Sequence, residues 1–300
     1  MLSTKKLSPI ITSAILATTI GCGSSSSSQD TGLLTVNVTD APLTGVTEVV
    51  VTFTGVELNP QSGDRIVIEY DEPRTIDLFA LQNGDTAPLL QNEELPAGEY
   101  NWIRLQVDAD RGEMDSYISF EGGDSYSLYV PSGSQTGLQL NRGFTIAAGR
   151  SANFTLDFDL RKSVHMPGNN SDDYFLRPTI RMLDNTEVGT ISGTIAPSVV
   201  SDVSCESGMA VYAYDGLDTA ADDEGSATSP VVSAMPEYDA DNDIYNFTFA
   251  FMLAGDYTLA VTCDADNDDP ETDESADDWS AIASQNATVV VDQQTDVAFE

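Results

Sequence analysis

The chain has 300 residues, enough for two domains of modest size, and 41% of them are hydrophobic, so most of it is expected to fold around buried cores. It carries 49 acidic and 12 basic side chains, a formal net charge of −37, which disfavours binding to nucleic-acid phosphates and anionic lipid surfaces. The single histidine, His165, argues against most histidine-centred catalysis and histidine-rich metal sites.

Residues 1–21 predict an export signal rather than part of the fold. Two lysines precede the apolar run Ile10–Ile20, which is shorter than the roughly 20 apolar residues that span a bilayer. The residues Thr19-Ile20-Gly21-Cys22 resemble the bacterial lipobox. That resemblance implies cleavage before Cys22, a diacylglycerol on its thiol and an acyl chain on its amine.

Residues 22–31 predict a Gly/Ser-rich tether between this anchor and the folded chain. Gly23, not aspartate, follows Cys22, which favours the outer membrane in an enterobacterial-type sorting system. We therefore expect an exported protein that is lipid-anchored to the outer membrane and faces the periplasm or the cell surface. An ordinary secretory signal with an incidental cysteine is the alternative.

Beyond Cys22, the sequence contains two further cysteines, Cys205 and Cys263. In an exported chain such a pair favours a disulfide. The bond would close a loop of 58 residues. In the chain-entropy model that closure contributes about 4 kcal/mol. Two free, buried thiols are the alternative.

From Leu33 onward, apolar and polar residues alternate in short runs, which is typical of strands with one buried face. The apolar stripes of the first half are Leu34, Val36 and Val38; Ile103, Leu105 and Val107; Phe154, Leu156, Phe158 and Leu160; and Leu176, Ile180 and Met182. Many short strands with one polar face predict antiparallel sheets packed as a sandwich.

Two details of this half depart from simple alternation. The apolar parity switches across Gly55, from Phe53 to Val56, which predicts a β-bulge. Ile76–Gln82 and Ala87–Gln91 are each expected to form no more than a short helical turn.

A second unit is expected from residue 187. No basic residue follows Arg181, and the acids of this half concentrate in three predicted loops, Asp218–Glu224, Glu237–Asp243 and Asp264–Asp278. The change of charge supports an N-terminal sandwich over residues 32–186 and an acidic C-terminal sandwich over residues 187–300.

Both halves resemble known families. Leu33–Pro42, Leu95–Val107 and Leu176–Asp184 resemble a bacterial lipoprotein domain, the domain of unknown function 4382, over roughly residues 32–184. Gly189–Ile195, Val211–Tyr214 and Tyr245–Val261 are similar to the carboxypeptidase-regulatory-like, or transthyretin-like, sandwich. The resemblances imply an all-β protein with two antiparallel immunoglobulin-like or transthyretin-like β-sandwich domains in tandem, and they bring no catalytic residues.

The motifs favour a non-enzymatic protein. His165 lies in a loop-like stretch without a nucleophile elbow, and the sequence contains no phosphate-binding glycine loop or Cys-x-x-Cys pair. We expect a binding or scaffolding module of the cell envelope whose partners are the membrane, through its lipid, and a glycan or an envelope protein, with no nucleic acid. A first alternative is a carbohydrate-binding surface module that uses Trp102 and Trp279. The aromatic stripe Tyr245–Phe251 could also stack on sugar rings, but a sandwich core is the favoured explanation of that stripe. A second alternative is a hydrolase that uses only carboxylates.

Three arginines form a candidate ligand site. Arg177 and Arg181 occupy positions i and i+4 of one predicted strand, and Arg104 also faces away from its apolar stripe. Arginines in so acidic a protein are suited to bidentate binding of a carboxylate or sulfate. Pairing with strand acids such as Asp157 and Asp159 is the alternative.

No cofactor is required by these motifs, but the acidic loops suggest calcium. Asp264, Asp266 and Asp268 alternate directly after a predicted strand, and Asp241 and Asp243 lie in an earlier loop of the same domain. Calcium takes six to eight oxygen ligands, so these carboxylates are candidate ligands if they lie at the same end of the sandwich. A solvated acidic loop is the alternative.

Overall fold

The computed structural model describes residues 30–41, 43–131, 137–166, 174–201, 205, 208–274 and 279–300. The predicted all-β class is confirmed, because strands account for nearly all of the regular structure in these residues. Four sheets form two β-sandwiches in tandem. The strands of residues 31–184 build one pair of sheets and those of residues 188–299 build the other.

The first domain contains the strands β1 (Thr31–Ala41), β2 (Val46–Pro60), β3 (Ile66–Asp77), β4 (Ala87–Pro96), β5 (Gly98–Asp108), β6 (Tyr117–Phe120), β7 (Ser125–Tyr129), β8 (Leu138–Leu140), β9 (Phe144–Ile146), β10 (Ser151–Asp159), β11 (Val164–His165), β12 (Tyr174–Leu176) and β13 (Ile180–Asp184), and the one-turn helix α1 (Leu160–Ser163). Sheet 1 has the order β13-β10-β1-β4, and sheet 2 has the order β11-β12-β7-β6-β2-β5-β8, with β3 paired to β2 and β9 to β5.

The core of this domain includes most of the predicted apolar stripes. Leu34, Val36 and Val38 of β1 are fully buried, as are Leu156 and Phe158 of β10. These side chains share the inner face of sheet 1 because alternate residues of a strand point to the same side. β1 pairs with β4 antiparallel but with β10 in parallel, an arrangement that the predicted antiparallel pattern did not contain.

The β-bulge predicted at Gly55 is present. The register of β2 shifts between Phe53 and Gly55 against both β3 and β5. A Cβ atom at Gly55 would lie 2.5 Å from the carbonyl oxygen of Ile68, so only glycine fits this close approach. The bulge keeps Phe53 and Val56 on the same buried side although three positions separate them.

Ile76–Gln82 contains a single turn, closed where the backbone N–H of Leu81 donates to the carbonyl oxygen of Leu78 at 2.9 Å, as expected, whereas the helical turn expected at Ala87–Gln91 is wrong. Ala87–Gln91 belongs to β4, and residues 76 and 77 complete β3. Pairing with the edge of β1 provides hydrogen-bond partners for the backbone of β4 and buries Leu89 and Leu90. These tertiary contacts stabilise a strand that local propensity does not predict.

The second domain contains the strands β14 (Val188–Ile195), β15 (Ala210–Asp215), β16 (Val232–Ala234), β17 (Glu237–Asp239), β18 (Ile244–Leu253), β19 (Gly255–Thr262), β20 (Ala281–Val289) and β21 (Gln294–Phe299), the one-turn helix α2 (Pro197–Val200) and a 3-10 turn (Ala265–Asn267). Sheet 3 has the order β17-β18-β14-β21, and sheet 4 has the order β16-β15-β19-β20. As in the first domain, the opening strand pairs in parallel with a late strand, here β14 with β21.

Strand β15 is buried on both faces. Val211 and Ala213 point into the core between the sheets, while Tyr212 and Tyr214 point outward into a second apolar cluster that includes Trp279. Sheet 4 is therefore covered on its outer face, by the loops that follow β15 and β19. This covering layer holds the buried charges of the domain.

Candidate functional site at the domain junction

Of the predicted sites, the lipidation residue Cys22 lies outside the described residues. Cys205 and Cys263 are joined by a disulfide, with Cα atoms 4.8 Å apart. This separation falls within the usual range for a disulfide, and the bond ties the segment before β15 to the end of β19.

The structure separates the three candidate arginines. Arg104 lies on β5 of sheet 2, where its Nη1 atom is 2.7 Å from Glu57 Oε2. Arg181 lies on β13 of sheet 1 and is hydrogen-bonded to Asp157, so the alternative of pairing with a strand acid describes it well. Both guanidinium groups already have protein partners.

Arg177 and Arg181 do not lie on one strand, which corrects the predicted spacing. Arg177 follows β12 and Arg181 is in β13, and the chain passes from sheet 2 to sheet 1 between them. Pro178 causes the break, because it has no N–H group and restricts the residue before it.

The tryptophans do not form an exposed platform for a sugar. Trp279 is buried and stacks on Tyr212, with ring centroids 5.8 Å apart. Trp102 is half-buried, and its ring lies below the guanidinium groups of Arg65 and Arg104. In the aromatic stripe, Phe247 and Phe249 are core residues of the second domain.

The five predicted calcium ligands lie in different environments. Asp241 and Asp243 are exposed in the β17–β18 hairpin, and Asp266 is exposed after β19. Asp264 accepts hydrogen bonds from the backbone N–H and the hydroxyl of Ser280, each at 3.1 Å. Asp268 alone is buried, and it belongs to a larger charged cluster.

This cluster is built around Arg161, which no pattern in the sequence marks as a site residue. Helix α1 begins directly after β10, where Asp159 accepts a hydrogen bond from the backbone N–H of Lys162 at 3.1 Å and so caps the turn. Leu160 is buried in the core of the first domain, so the next residue, Arg161, points away from that core. It reaches the covering loops of the second domain.

Arg161 crosses from one domain to the other as a buried cation. Its Nη1 atom donates to Tyr212 Oη at 2.7 Å, and its Nη2 atom donates to the backbone carbonyls of Ala265 at 2.5 Å and Asp268 at 3.1 Å. Its Nε atom lies 3.6 Å from Glu224 Oε1, and the two side chains are 6% and 2% exposed. The hydroxyl of Tyr212 donates in turn to Asp268 Oδ2 at 2.6 Å.

The electrostatics of this junction follow from its burial. Desolvation raises the pKa of Glu224 to about 7, and the attraction of Arg161 offsets only part of that effect. Burial alone would lower the pKa of Arg161, but Tyr212, Glu224 and Asp268 together hold it above its ordinary value. The guanidinium therefore stays charged.

Weaker contacts flank Arg161 across the same interface. Lys162 Nζ lies 3.4 Å from the carbonyl oxygen of Pro230, and Asn83 Nδ2 lies 3.3 Å from Glu237 Oε1. His165 stacks on Phe175 and its Nδ1 atom is 3.4 Å from Glu271 Oε1. The histidine thus takes part in the domain contact.

Asp223 and Glu274 complete the acidic side of the cluster. One carboxylate oxygen from each of Asp223, Asp268 and Glu274 lies within 4.8 Å of the other two. The sequence places Asp223 and Glu274 in acidic loops but does not distinguish them from their exposed neighbours. One signal in the sequence could have identified them. Apolar residues such as Ala265 and Trp279 interrupt the acidic loops, which indicates that these loops pack on the sheet and are not fully solvated.

Three solved structures to which this chain is similar are distant from it. Two candidate adhesins from Bacteroides ovatus, one of them from strain ATCC 8483, are each 9% identical to this chain. The ATCC 8483 protein aligns over 89% of this chain and 92% of its own with a TM-score of 0.21, and the other over 89% and 86% with a TM-score of 0.22. The fimbrial anchor protein Mfa2 from Porphyromonas gingivalis is 11% identical over 77% of this chain and 78% of its own, with a TM-score of 0.17. These TM-scores are too low to support a shared fold or function.

No curated protein matches this chain in sequence. Within the described residues, no helix is both long enough and apolar enough to cross a membrane. The family match covers residues 31–178, from β1 to the loop after β12, and the second domain lies outside it. Residues 31–178 of the first domain are therefore similar to a domain of unknown function, DUF4382.

Proposed function

We propose that the protein is a non-enzymatic binding or scaffolding module of the cell envelope, exported and held at the outer membrane by lipid on Cys22. The observation that carries the proposal is the buried Arg161 junction, which joins the two sandwiches into one unit. A module that must hold a partner at a set distance from a membrane anchor needs such a fixed joint between its domains.

The arrangement of the acids agrees with a structural role. Asp223 and Glu224 are buried at 0% and 5% exposure, and Asp268 at 6%, under the covering loops of the second domain. A hydrolase that used these carboxylates would have to admit its substrate to them. Glu224 and Asp268 instead contact Arg161, and the Asp223 carboxylate accepts from the backbone N–H of Gly225, so these acids hold the loops together.

The anchor is tested by replacing the acceptor thiol. We expect the native protein to incorporate an alkyne-labelled fatty acid and to sediment with the outer membrane, and Cys22→Ala to do neither. Ser24→Ala in the same tether is the matched control and should behave as the native protein does. Unlabelled native protein, or label retained by Cys22→Ala, would contradict lipidation at this residue.

The scaffolding role is tested by cross-linking in intact cells. The native protein should cross-link to a defined envelope protein or glycan, and Arg161→Met, which releases one domain from the other, should lose that product. Arg150→Met removes an exposed arginine of the same domain and should retain it. A native protein without any specific product, or one that hydrolyses glycoside substrates, would refute the proposed function.

A further inference from the structure

Three carboxylates of the second domain converge from two loops. Asp223 lies in the loop after β15, and Asp268 and Glu274 lie in the loop after β19. The loops are tied together where the backbone N–H of Glu224 donates to Asp268 Oδ1 at 3.0 Å. They also touch at Gly225, where an added Cβ atom would collide with the carbonyl oxygen of Thr272.

Two of these carboxylates hold a buried oxygen without a hydrogen-bond partner. Asp223 is 0% exposed; its Oδ1 atom accepts from the backbone N–H of Gly225 at 2.8 Å, while its Oδ2 atom has no donor. Oε2 of Glu274 is also buried without a donor. A buried carboxylate oxygen loses its hydration on folding, so leaving it without a donor or a cation is costly.

Arg161 balances only part of the charge around these oxygens. The guanidinium pairs with Glu224 and binds the backbone of Asp268, so the three converging carboxylates still face one another. Burial, together with repulsion from Asp223 and Asp268, raises the pKa of Glu274 above its ordinary value. A bound cation would attract all three carboxylates and would give the desolvated oxygens the partner that they lack.

We propose that Asp223, Asp268 and Glu274 bind a calcium ion. The donors are all carboxylate oxygens, which suit a hard cation, whereas zinc favours nitrogen and sulfur. Ligands carried on two irregular loops suit the variable geometry of calcium better than the strict octahedron of magnesium. This ligand set shares only Asp268 with the one that the sequence predicts.

The ion would also act on the domain junction. Asp268 contributes a carboxylate to the cation and, through its backbone carbonyl, a hydrogen bond to Arg161. Calcium therefore fixes the loop that receives the guanidinium of the first domain. We expect the joint between the domains to be firmer in calcium than in its absence.

The experiment uses the full mature chain, purified in detergent and stripped of metal with EDTA. Calcium chloride and magnesium chloride are compared by thermal melting at an ionic strength matched with sodium chloride. We expect calcium to raise the melting temperature more than magnesium, with a dissociation constant of about 10⁻⁴ to 10⁻³ M, as in extracellular modules. Terbium, bound in place of calcium, should luminesce on excitation of the nearby Trp279.

Variants locate the site. Asp223→Asn and Glu274→Gln should lose the calcium response and the terbium signal, while Asp266→Asn, which changes an exposed acid of the same loop, should retain both. Glu274 is less buried than Asp223, so its variant carries the test if Asp223→Asn fails to fold. Equal effects of calcium and magnesium, terbium that calcium does not displace, or a native response in both ligand variants would overturn the proposal.

Discussion

Replacing Arg161 by methionine should uncouple the two domains. Methionine keeps much of the side-chain length but removes the donors to Tyr212 and to the carbonyls of Ala265 and Asp268, and it leaves Glu224 without its cation. Removing one partner from a buried ion pair typically costs about 3–5 kcal/mol, because the other charge stays desolvated. Each abandoned carbonyl adds to the cost, although such losses are not additive.

Calorimetry can detect a loss of this size. For a domain of about 100 residues, 1 kcal/mol corresponds to roughly 4 °C or more in melting temperature, so the second domain should melt about 15 °C lower in Arg161→Met. The native protein should show coupled unfolding of both domains, and the variant should show two separate transitions. All samples are compared in EDTA so that bound cations do not contribute.

Two further variants control the experiment. Arg161→Lys keeps the charge but cannot reproduce the branched set of hydrogen bonds, so its melting temperature should fall between those of the native protein and Arg161→Met. Arg150→Met should have no effect, because Arg150 is exposed. If Arg161→Met has the melting temperature of the native protein and unfolds in one coupled transition, the domain junction does not depend on this guanidinium. That result would refute the prediction.

Three other predictions concern Gly225, Tyr70 and the net charge of the chain. Gly225→Ala should lower the free energy of unfolding by about 1–3 kcal/mol in chemical denaturation, because the added Cβ would meet the backbone of Thr272. The control Gly255→Ala should be neutral, since its Cβ would have its nearest neighbour at 3.9 Å. Equal losses in the two variants would contradict the prediction. Burial raises the pKa of Tyr70 to about 12, against a smaller opposing effect of Arg74. The unfolded chain therefore loses this proton first as the pH rises above about 10, so the free energy of unfolding should fall between about pH 10 and pH 12. Tyr70→Phe should reduce that fall. A variant whose stability has the same pH dependence as that of the native protein would refute the role of Tyr70. Finally, a net charge of −37 predicts a melting temperature that rises with sodium chloride from low to seawater-like ionic strength, and a flat or falling response would exclude strong self-repulsion.

The strands of the first domain were largely predictable from local patterns. The stripe of Leu34, Val36 and Val38 is buried as expected, and the switch of parity across Gly55 is a true bulge. Alternation reports the two faces of a strand directly, because it depends only on neighbouring residues. Alternation does not indicate which strands pair with each other. It therefore predicts neither the parallel pairing of β1 with β10 nor the strand at Ala87–Gln91, which pairing with β1 stabilises.

The candidate site was predictable only in part. Acidic loops and the cysteines of the second domain are visible in the sequence, and the alternating acids predict Asp268 as a candidate ligand. Its true neighbours, Asp223 and Glu274, looked like the surrounding acids, since sequence does not distinguish a buried carboxylate from a solvated one. The sequence pattern also placed Arg177 and Arg181 together, while the fold assigns a structural role to Arg161 instead.

The sequence by itself determined the all-β class, the alternating cores and the acidic character of the second half, since each depends on composition or on contacts between near neighbours. Only the tertiary structure decided which loops cover the outer face of sheet 4 and which charges they bury. Arg161 meets Tyr212 and Asp268 across 51 and 107 positions of the chain. Contacts over such separations arise from the packing of one domain on another, which leaves no periodic trace in the residues themselves.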